Sequence, residues 1–384
     1  MTSMSRIALA PDRSGPGSAR PACASAVRAA LRPASAIGEL AADWTALAAE
    51  ASEPNPFAEH WFVAASLATL GAGQDIRLLE VRRGARLIGV MPLAIETGYA
   101  HLPVRYVRHW QHDHHFLATP LVAAGEERAF WEAALAALDA SDWAPNFLHL
   151  RYMAEDGPVR RAMPRGAIVH RRRRALLESG LTPDAYLARA VRGKKRKELR
   201  RQRSRLAELG ALEARHLRES AQLAAWCDDY LALEAKGWKG REGSALSTDP
   251  TTTRFFHESL AAAQAAGRLQ FLRLDLDGRA IAMLVNFLTP PGSFSFKTVF
   301  DEAYARYSPG VLVQIENLAI LDAPAIAWMD SCAMDDHPMI DGFWTGRRNL
   351  VRVTVPLRGI RRRAVHGLCR ALEMGSLAVR KALT

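Results

Sequence analysis

The stretch "SFSFKTVFDEAYARYSPGVLVQIENLAILDA", residues 293–323, reads as a buried strand, a short turn and a helix. Pro309 falls at the first helical position, where a missing N–H costs nothing, and Ser308 precedes it as an N-cap. A helix start presents free N–H groups and the positive end of the dipole, which together favour an anion. Gly310 has no side chain to keep a phosphate from that backbone, Val311 and Leu312 complete the first turn, and Arg306 adds a second positive element. The stretch therefore predicts a strand feeding a phosphate-cradling helix. Taken alone, the same residues also suit an ordinary strand–helix unit with a tidy cap.

Working outward, the second half of the chain predicts a strand at Ala211–His216 and a helix at Glu219–Lys236, with Leu223, Trp226, Tyr230 and Leu233 at helical spacing. The loop "GWKGREGSALST" follows, then a helix capped by Thr248 or Asp249 and stopped at Gly267. A hairpin turns at Asp277-Gly278, and strands follow at Phe294–Phe300, Ala325–Asp330 and Asn349–Val355. The first half runs in a similar order: a strand near Val27–Leu31, helices at Ile37–Ala49 and Ala58–Leu70, a hairpin turning at Arg83-Gly84, a helix at Glu126–Ala140 and a strand at Phe147–Tyr152. This echo predicts an internal duplication. The halves differ where phosphate would bind. The first-half helix opens on Glu126-Glu127, which repels phosphate, whereas the second-half helix carries no acid before Glu316.

Composition sets the bounds. A chain of 384 residues, 49% hydrophobic and 24% charged, is ordinary for a soluble protein of about two domains. No apolar run is long enough to span a membrane. Residues 1–26 lack a continuous apolar segment and read as a disordered leader rather than a signal peptide. Cys23, Cys227, Cys332 and Cys369 form no CxxC pair, which fits a reducing cytoplasm. The net charge of +11 is unevenly spread. Residues 160–205 carry 17 Lys and Arg against three acids, and residues 352–384 carry eight against one, so the rest is acidic. Anionic partners are thus expected at two places.

The order of elements, with "LEAKGWKGREGSAL" (233–246), "FKTVFDEAYARYSPGVLV" (296–313), "MDSCAMDDHPMIDGFWTGRR" (329–348) and "RGKKRKELRRQRSRL" (192–206), resembles the GNAT acyltransferases. The tandem arrangement is similar to acetyltransferases of cellulose and exopolysaccharide biosynthesis (the CelD/BcsL type), relatives of the Fem-type aminoacyltransferases. The resemblance covers about residues 35–357. It implies an α+β fold of two GNAT-like domains, each a mostly antiparallel twisted sheet flanked by helices. The expected division is 27–175, a basic helical linker at 176–210, an acyltransferase domain at 211–357, and a basic tail helix at 358–384. The resemblance also implies an acetyl-CoA or other acyl-CoA co-substrate at Arg306, Ser308, Pro309, Gly310, Val311 and Leu312, with no metal, and a strand 294–300 that places the thioester. The usual phosphate loop, Arg/Gln-x-x-Gly-x-Gly/Ala, is departed from here by one extra residue and by Leu312 in place of the second small residue.

Acyl transfer needs a positioned carbonyl, a base for the nucleophile's proton, and charge to stabilise the oxyanion. His337, in "DDHPM", is the candidate base, with Asp335 and Asp336 to orient it; a loop histidine capping backbone groups is the alternative. Lys297 and Asp301 flank the phosphate turn, and Asp330 ends a strand. Together these four form the expected catalytic set. Glu234, Lys236, Trp238 and Lys239, at a helix end and Gly-rich loop, are expected to close over substrate, a helix C-cap with Gly237 being the alternative; Trp344 and Arg347 are candidate pocket walls, with core packing the favoured alternative for Trp344. In "RHWQHDHHF" (108–116), neighbouring side chains on a strand diverge, so His114 reads as a contact in the cleft between halves rather than as a metal ligand. Cys332 reads as a small buried thiol. The expected acceptor is a small molecule or glycan amine or hydroxyl. The tail is expected to touch anionic membrane. Nucleic acid fits the basic helix less well, because that helix lacks aromatics for base stacking. Two other readings are a Fem-like transferase using aminoacyl-tRNA and a non-catalytic binding protein of degenerate GNAT fold.

Overall fold

The computed structural model describes residues 25–335 and 337–382. Nearly all of the expected leader lies outside the described residues. The first half comprises β1 (Val27–Pro33), α1 (Ala41–Ala49), α2 (His60–Leu70), β2 (Ile76–Arg83), β3 (Arg86–Tyr99), β4 (Leu102–His109), β5 (Leu121–Val122), α3 (Glu127–Ala140), β6 (Phe147–Ala154), α4 (Pro158–Arg161) and β7 (Ala167–Glu178). Helices α5 (Pro183–Ala190) and α6 (Gly193–Ala207) lead to the second half. That half holds β8 (Leu212–His216), α7 (Leu223–Lys236), α8 (Trp238–Arg241), α9 (Pro250–Ala265), β9 (Leu269–Leu276), β10 (Arg279–Thr289), β11 (Gly292–Phe300), α10 (Pro309–Glu316), β12 (Trp328–Asp330) and β13 (Gly346–Pro356), followed by α11 (Ile360–Ala382).

These strands form one sheet, ordered β1-β2-β3-β4-β6-β13-β7-β12-β11-β10-β9-β8. It is mostly antiparallel, as expected for this fold class. Its two parallel joints on this path, β4–β6 and β11–β12, hold equivalent positions in the two halves. The sequence places β13 in the second half, yet it lies between β6 and β7, both from the first. Strand β7 in turn reaches across to β12. Each half thus gives its last strand to the other. The boundaries at 175 and 211 therefore do not separate two independent sheets. Continuous apolar alternation in β13 (Leu350, Val351, Val353, Val355) supplies a strand buried on both flanks.

The core follows the same sharing. One cluster belongs to the first half, around Trp44, Phe130 and Trp131. A second joins Phe57, Phe62 and Leu117 of the first half to Tyr230, Phe255, Phe287 and Phe296 of the second. Phe57 makes ring contacts with Phe287, Phe294 and Phe296 at centroid distances of 5.7–6.3 Å, which fixes the 3-10 turn leading into α2 against β10 and β11. A chain ending at Thr345 removes the only common neighbour of β6 and β7 in this sheet. It is expected to show no cooperative thermal transition by circular dichroism, whereas a chain ending at Gly359 keeps one. A cooperative melt of the shorter chain would contradict strand exchange as a requirement for folding.

Candidate active site

The site opens where β11 and β12 part. They pair over only three residues, ending at Phe294 opposite Asp330, and a register shift leaves Phe296 as an extra residue on β11. Beyond that point the strands splay, as a bulge beside an incomplete ladder allows. The gap is a cleft of about 470 Å³. Ser295–Thr298 and Gln314 form one wall, Ser331–Ala333 and the His337–Ile340 loop the other, and Trp238, Lys239 and Phe116 its rim. It joins residues from both halves.

Lys297 is the charged group at its centre. Its Nζ lies 3.3 Å from Nδ1 of His114 and over the rings of Phe296 (5.2 Å) and Phe116 (6.0 Å). Burial, with help from the Lys239 charge, pushes its ammonium pKa down to about 8. His114 stacks on Phe255 (5.4 Å, 15°), and burial followed by the Lys297 charge holds it down at about 2, so it is neutral and can accept from Lys297. The expected cleft contact at His114 is thus where the two halves meet. Its neighbours have separate partners: His112 has Ser66 Oγ (3.0 Å), His115 the Leu117 carbonyl (3.0 Å), and Nδ1 of His109 the Ala118 carbonyl (3.0 Å). Among the described residues no set of three or more His, Cys, Asp or Glu is placed to hold a metal.

His337 lines the cleft, and its Nδ1 is buried with no hydrogen-bond partner among the described residues. Of the two expected orienting acids, Asp335 pairs with Arg172 instead (3.2 Å). Asp336 lies outside the described residues. Glu234 is buried, accepting hydrogen bonds from Lys239 (2.6 Å) and from the Leu246 amide (2.8 Å), so it ties α7 to the rim. Trp238 stands about half exposed over the cleft, while Lys236 points to solvent from the last turn of α7.

Four expectations are corrected. Asp301 caps the 3-10 turn that follows β11, accepting from the Ala303 amide (2.9 Å), and does not line the cleft. Asp330 is fully buried between Arg174 (3.3 Å) and Arg348 (3.2 Å) and accepts from the Cys332 amide (2.8 Å), so it has no capacity as a base. Trp344 is core rather than wall, and Arg347 is spent on Asp341 and the Trp344 carbonyl. The phosphate turn also differs. Ser308 adopts a left-handed conformation (φ 56°) and makes no side-chain cap. A Cβ on Gly310 would lie 3.0 Å from Phe300 and 3.3 Å from Met339, so this glycine is needed by packing, with Pro309 and Leu312 buried beside it. Arg306 lines a groove of about 270 Å³ with Arg201 and Arg205 of α6, which Glu198 and Glu208 also border. Gln202 of α6 donates to the Arg306 carbonyl (3.1 Å) and Arg203 pairs with Glu316 (2.5 Å), which docks the basic helix on this groove.

Sequence reasoning missed the arginines of β6 and β7. Burial alternates along Arg171–Arg174, with Arg171 and Arg173 exposed and Arg174 only 3% accessible. That period of two is the signal available within the charge run.

Comparison with known proteins bears on the fold that carries this cleft. Residues 193–336 match the acetyltransferase (GNAT) domain family. No curated protein matches the chain by sequence. The crystal structure of FemX is similar over 86% of this chain and 98% of its own, with 10% identity and a TM-score of 0.56. A conserved protein of unknown function from Bacteroides thetaiotaomicron is similar over 82% and 97%, with 11% identity and a TM-score of 0.53. A C-terminal domain from Agrobacterium fabrum, described as part of a lysylphosphatidylglycerol synthetase, is similar over 87% and 96%, with 14% identity and a TM-score of 0.53. Residues 193–336 thus match the acetyltransferase (GNAT) domain family, a match that supports an acyltransferase, and they sit within an overall fold shared with FemX.

Proposed function

We propose that the chain transfers an acyl group, acetyl in the first instance, from acyl-CoA to an amine or hydroxyl on an envelope or exopolysaccharide-related acceptor in the cytoplasm. The observation that carries this reading is Lys297, a lysine poised near neutrality in a cleft that is closed by both halves. The acceptor attacks the thioester carbonyl carbon. As the new bond forms, the oxyanion draws on the Lys297 ammonium, and His337 Nδ1 takes the acceptor's proton. Collapse breaks the carbon–sulfur bond and releases CoA thiolate, which is then protonated. Attack is direct. Burial, and then the Asp330 charge, push the Cys332 thiol well above its ordinary range, which suits a packing role rather than an acyl-enzyme. The groove of Arg201, Arg205 and Arg306 supports the phosphates of the donor.

A second reading, aminoacyl-tRNA as donor, is favoured by the exposed cations of α6. The exposed Leu368 and Leu372 beside Arg361 and Arg363 on α11 support peripheral contact with anionic membrane. Among the described residues no helix is long and apolar enough to cross one.

Thermal melts with acetyl-CoA test the donor. A ligand at a hundred times its Kd adds about 2.7 kcal/mol of stability. The expected result is a shift that is lost in Arg201→Glu/Arg306→Glu. No shift with acetyl-CoA or longer acyl-CoAs, together with tRNA binding that falls steeply with salt, would replace this donor by the second.

A further inference from the structure

A second cavity, of about 270 Å³, lies behind the Lys297 cleft and shares Phe116, Cys332 and Ala333 with it as a common wall. Arg151, Arg172 and Arg174 line it around Tyr152. The guanidinium carbons of Arg172, Arg151 and Arg352 lie 5.3, 5.6 and 5.9 Å from the centre of the Tyr152 ring. Negative charge does not match this. Arg174 shares Asp330 with Arg348, Arg172 has Asp335, and Asp113 stands in the wall. Among the described residues no carboxylate lies within 4 Å of Arg151 or Arg352, and the buried Nε atoms of Arg151, Arg174 and Arg352 have no acceptor.

Buried donors without partners oppose folding, so two on the lining of one cavity, Arg151 and Arg174, with Arg352 beside the Tyr152 ring, invite a functional account. The backbone points the same way. Tyr152 (φ 60°) and Cys332 (φ 53°) are left-handed non-glycine residues, and both border this cavity. The register slip between β6 and β13, opposite Val351–Val353, turns Arg151 and Tyr152 out of the regular ladder. Although burial raises the Tyr152 phenol, hydrogen bonding from Arg151 and the surrounding guanidinium charges outweigh it and leave the pKa below its ordinary value, a gauge of the positive field.

We propose that this cavity is the acceptor-side anion subsite: it holds a phosphate or carboxylate of the acceptor while the nucleophile reaches past Phe116 to the Lys297 cleft. This rests on the acyl-transfer reading above. Planar guanidinium forks suit both anions, and the two are separated by experiment.

Isothermal titration of the full-length protein with inorganic phosphate and, separately, with acetate tests it. The set is wild type, Arg151→Gln, Arg151→Lys and Arg151→Gln/Arg172→Gln, each also melted alone and with acetyl-CoA. One of the two anions is expected to bind, and the preferred one identifies the acceptor's charged group. Arg151→Gln should weaken it at least tenfold, Arg151→Lys should restore part of that loss, and the unliganded Tm should stay level or rise. The acetyl-CoA shift should persist in every variant. Binding of neither anion, binding that survives the double substitution, or a Tm that falls sharply in Arg151→Gln would each overturn the subsite. Phosphate that displaces acetyl-CoA would also overturn it, because the cavity would then belong to the donor. Failure of acetyl-CoA to bind any variant, with Arg151-dependent anion binding intact, would sink the donor assignment and leave the subsite standing.

Discussion

Lys297→Met is expected to abolish turnover and, at the same time, to raise thermal stability. The two effects have one cause. The ammonium sits between Phe296 and Phe116, with the neutral His114 as its close hydrogen-bonding partner among the described residues and with the Lys239 charge nearby. Its folded pKa of about 8 lies below the ordinary lysine value of 10.5, so the charged form is disfavoured by folding. Between these values the unfolded chain binds more protons, and stability rises with pH across that window; below about 8 the whole penalty persists. The shift corresponds to a ceiling of about 3 kcal/mol, and partial exposure of the side chain reduces it to about 1–2 kcal/mol. Methionine keeps the length and removes the charge. Loss of a preorganised oxyanion donor costs about 10²–10³ in kcat. In the wild type, kcat should fall above about pH 8 as the ammonium is lost. The checks are kcat and calorimetric melts at pH 7 and pH 10. A variant that is less stable at pH 7, or that keeps most of its kcat, would make Lys297 structural.

How much of this was legible in the chain differs by length scale. Local signals were strong where chemistry is local. The Asp277-Gly278 turn (φ 50° and 76°), the Asp249 cap on Thr251 N and the basic helix over 193–207 follow from residue type and spacing. Lys297, His337, Trp238 and Lys239 do come together on one cleft, because β11 and the loops after α7 and β12 meet there. The strand exchange was not legible. Alternation reports which face of a strand is buried and says nothing about which half supplies its neighbour. The run "HRRRRALLE" was absorbed into a charge count, although its alternate arginines face a cavity. The "SPG" turn misled for a different reason. Gly310 was read for what it lets in, whereas Phe300 and Met339 already fill that space. Glu126 shows the converse: its carboxylate is held by two of the Arg83 guanidinium nitrogens, Nε and Nη2 (2.9 and 2.7 Å), so a partner 43 residues away consumes a charge that looked free.

The Asp330 substitution should be the most destabilising single change at the seam. Its carboxylate is 0% exposed and stands between Arg174, from β7 of the first half, and Arg348, from the exchanged strand β13. It also accepts from the Cys332 amide, which sets the left-handed turn walling both cavities. Asp330→Asn keeps the shape and removes the charge, leaving two arginines, one only 3% exposed, to repel each other. Breaking a buried pair from one side costs about 3–5 kcal/mol, because the surviving charge loses its partner where water cannot replace it. That prediction belongs to an uncompensated charge, and a second variant isolates it. Asp330→Asn combined with Arg174→Met removes one of the two orphaned cations and should recover a large part of the loss, a coupling readable from a double-mutant cycle. Chemical denaturation of the wild type, both singles and the double provides the four free energies. A single-variant loss below about 1 kcal/mol, or strict additivity in the double, would mean that the pair is wetter than its burial implies. The seam would then be held by the aromatic cluster around Phe57 instead.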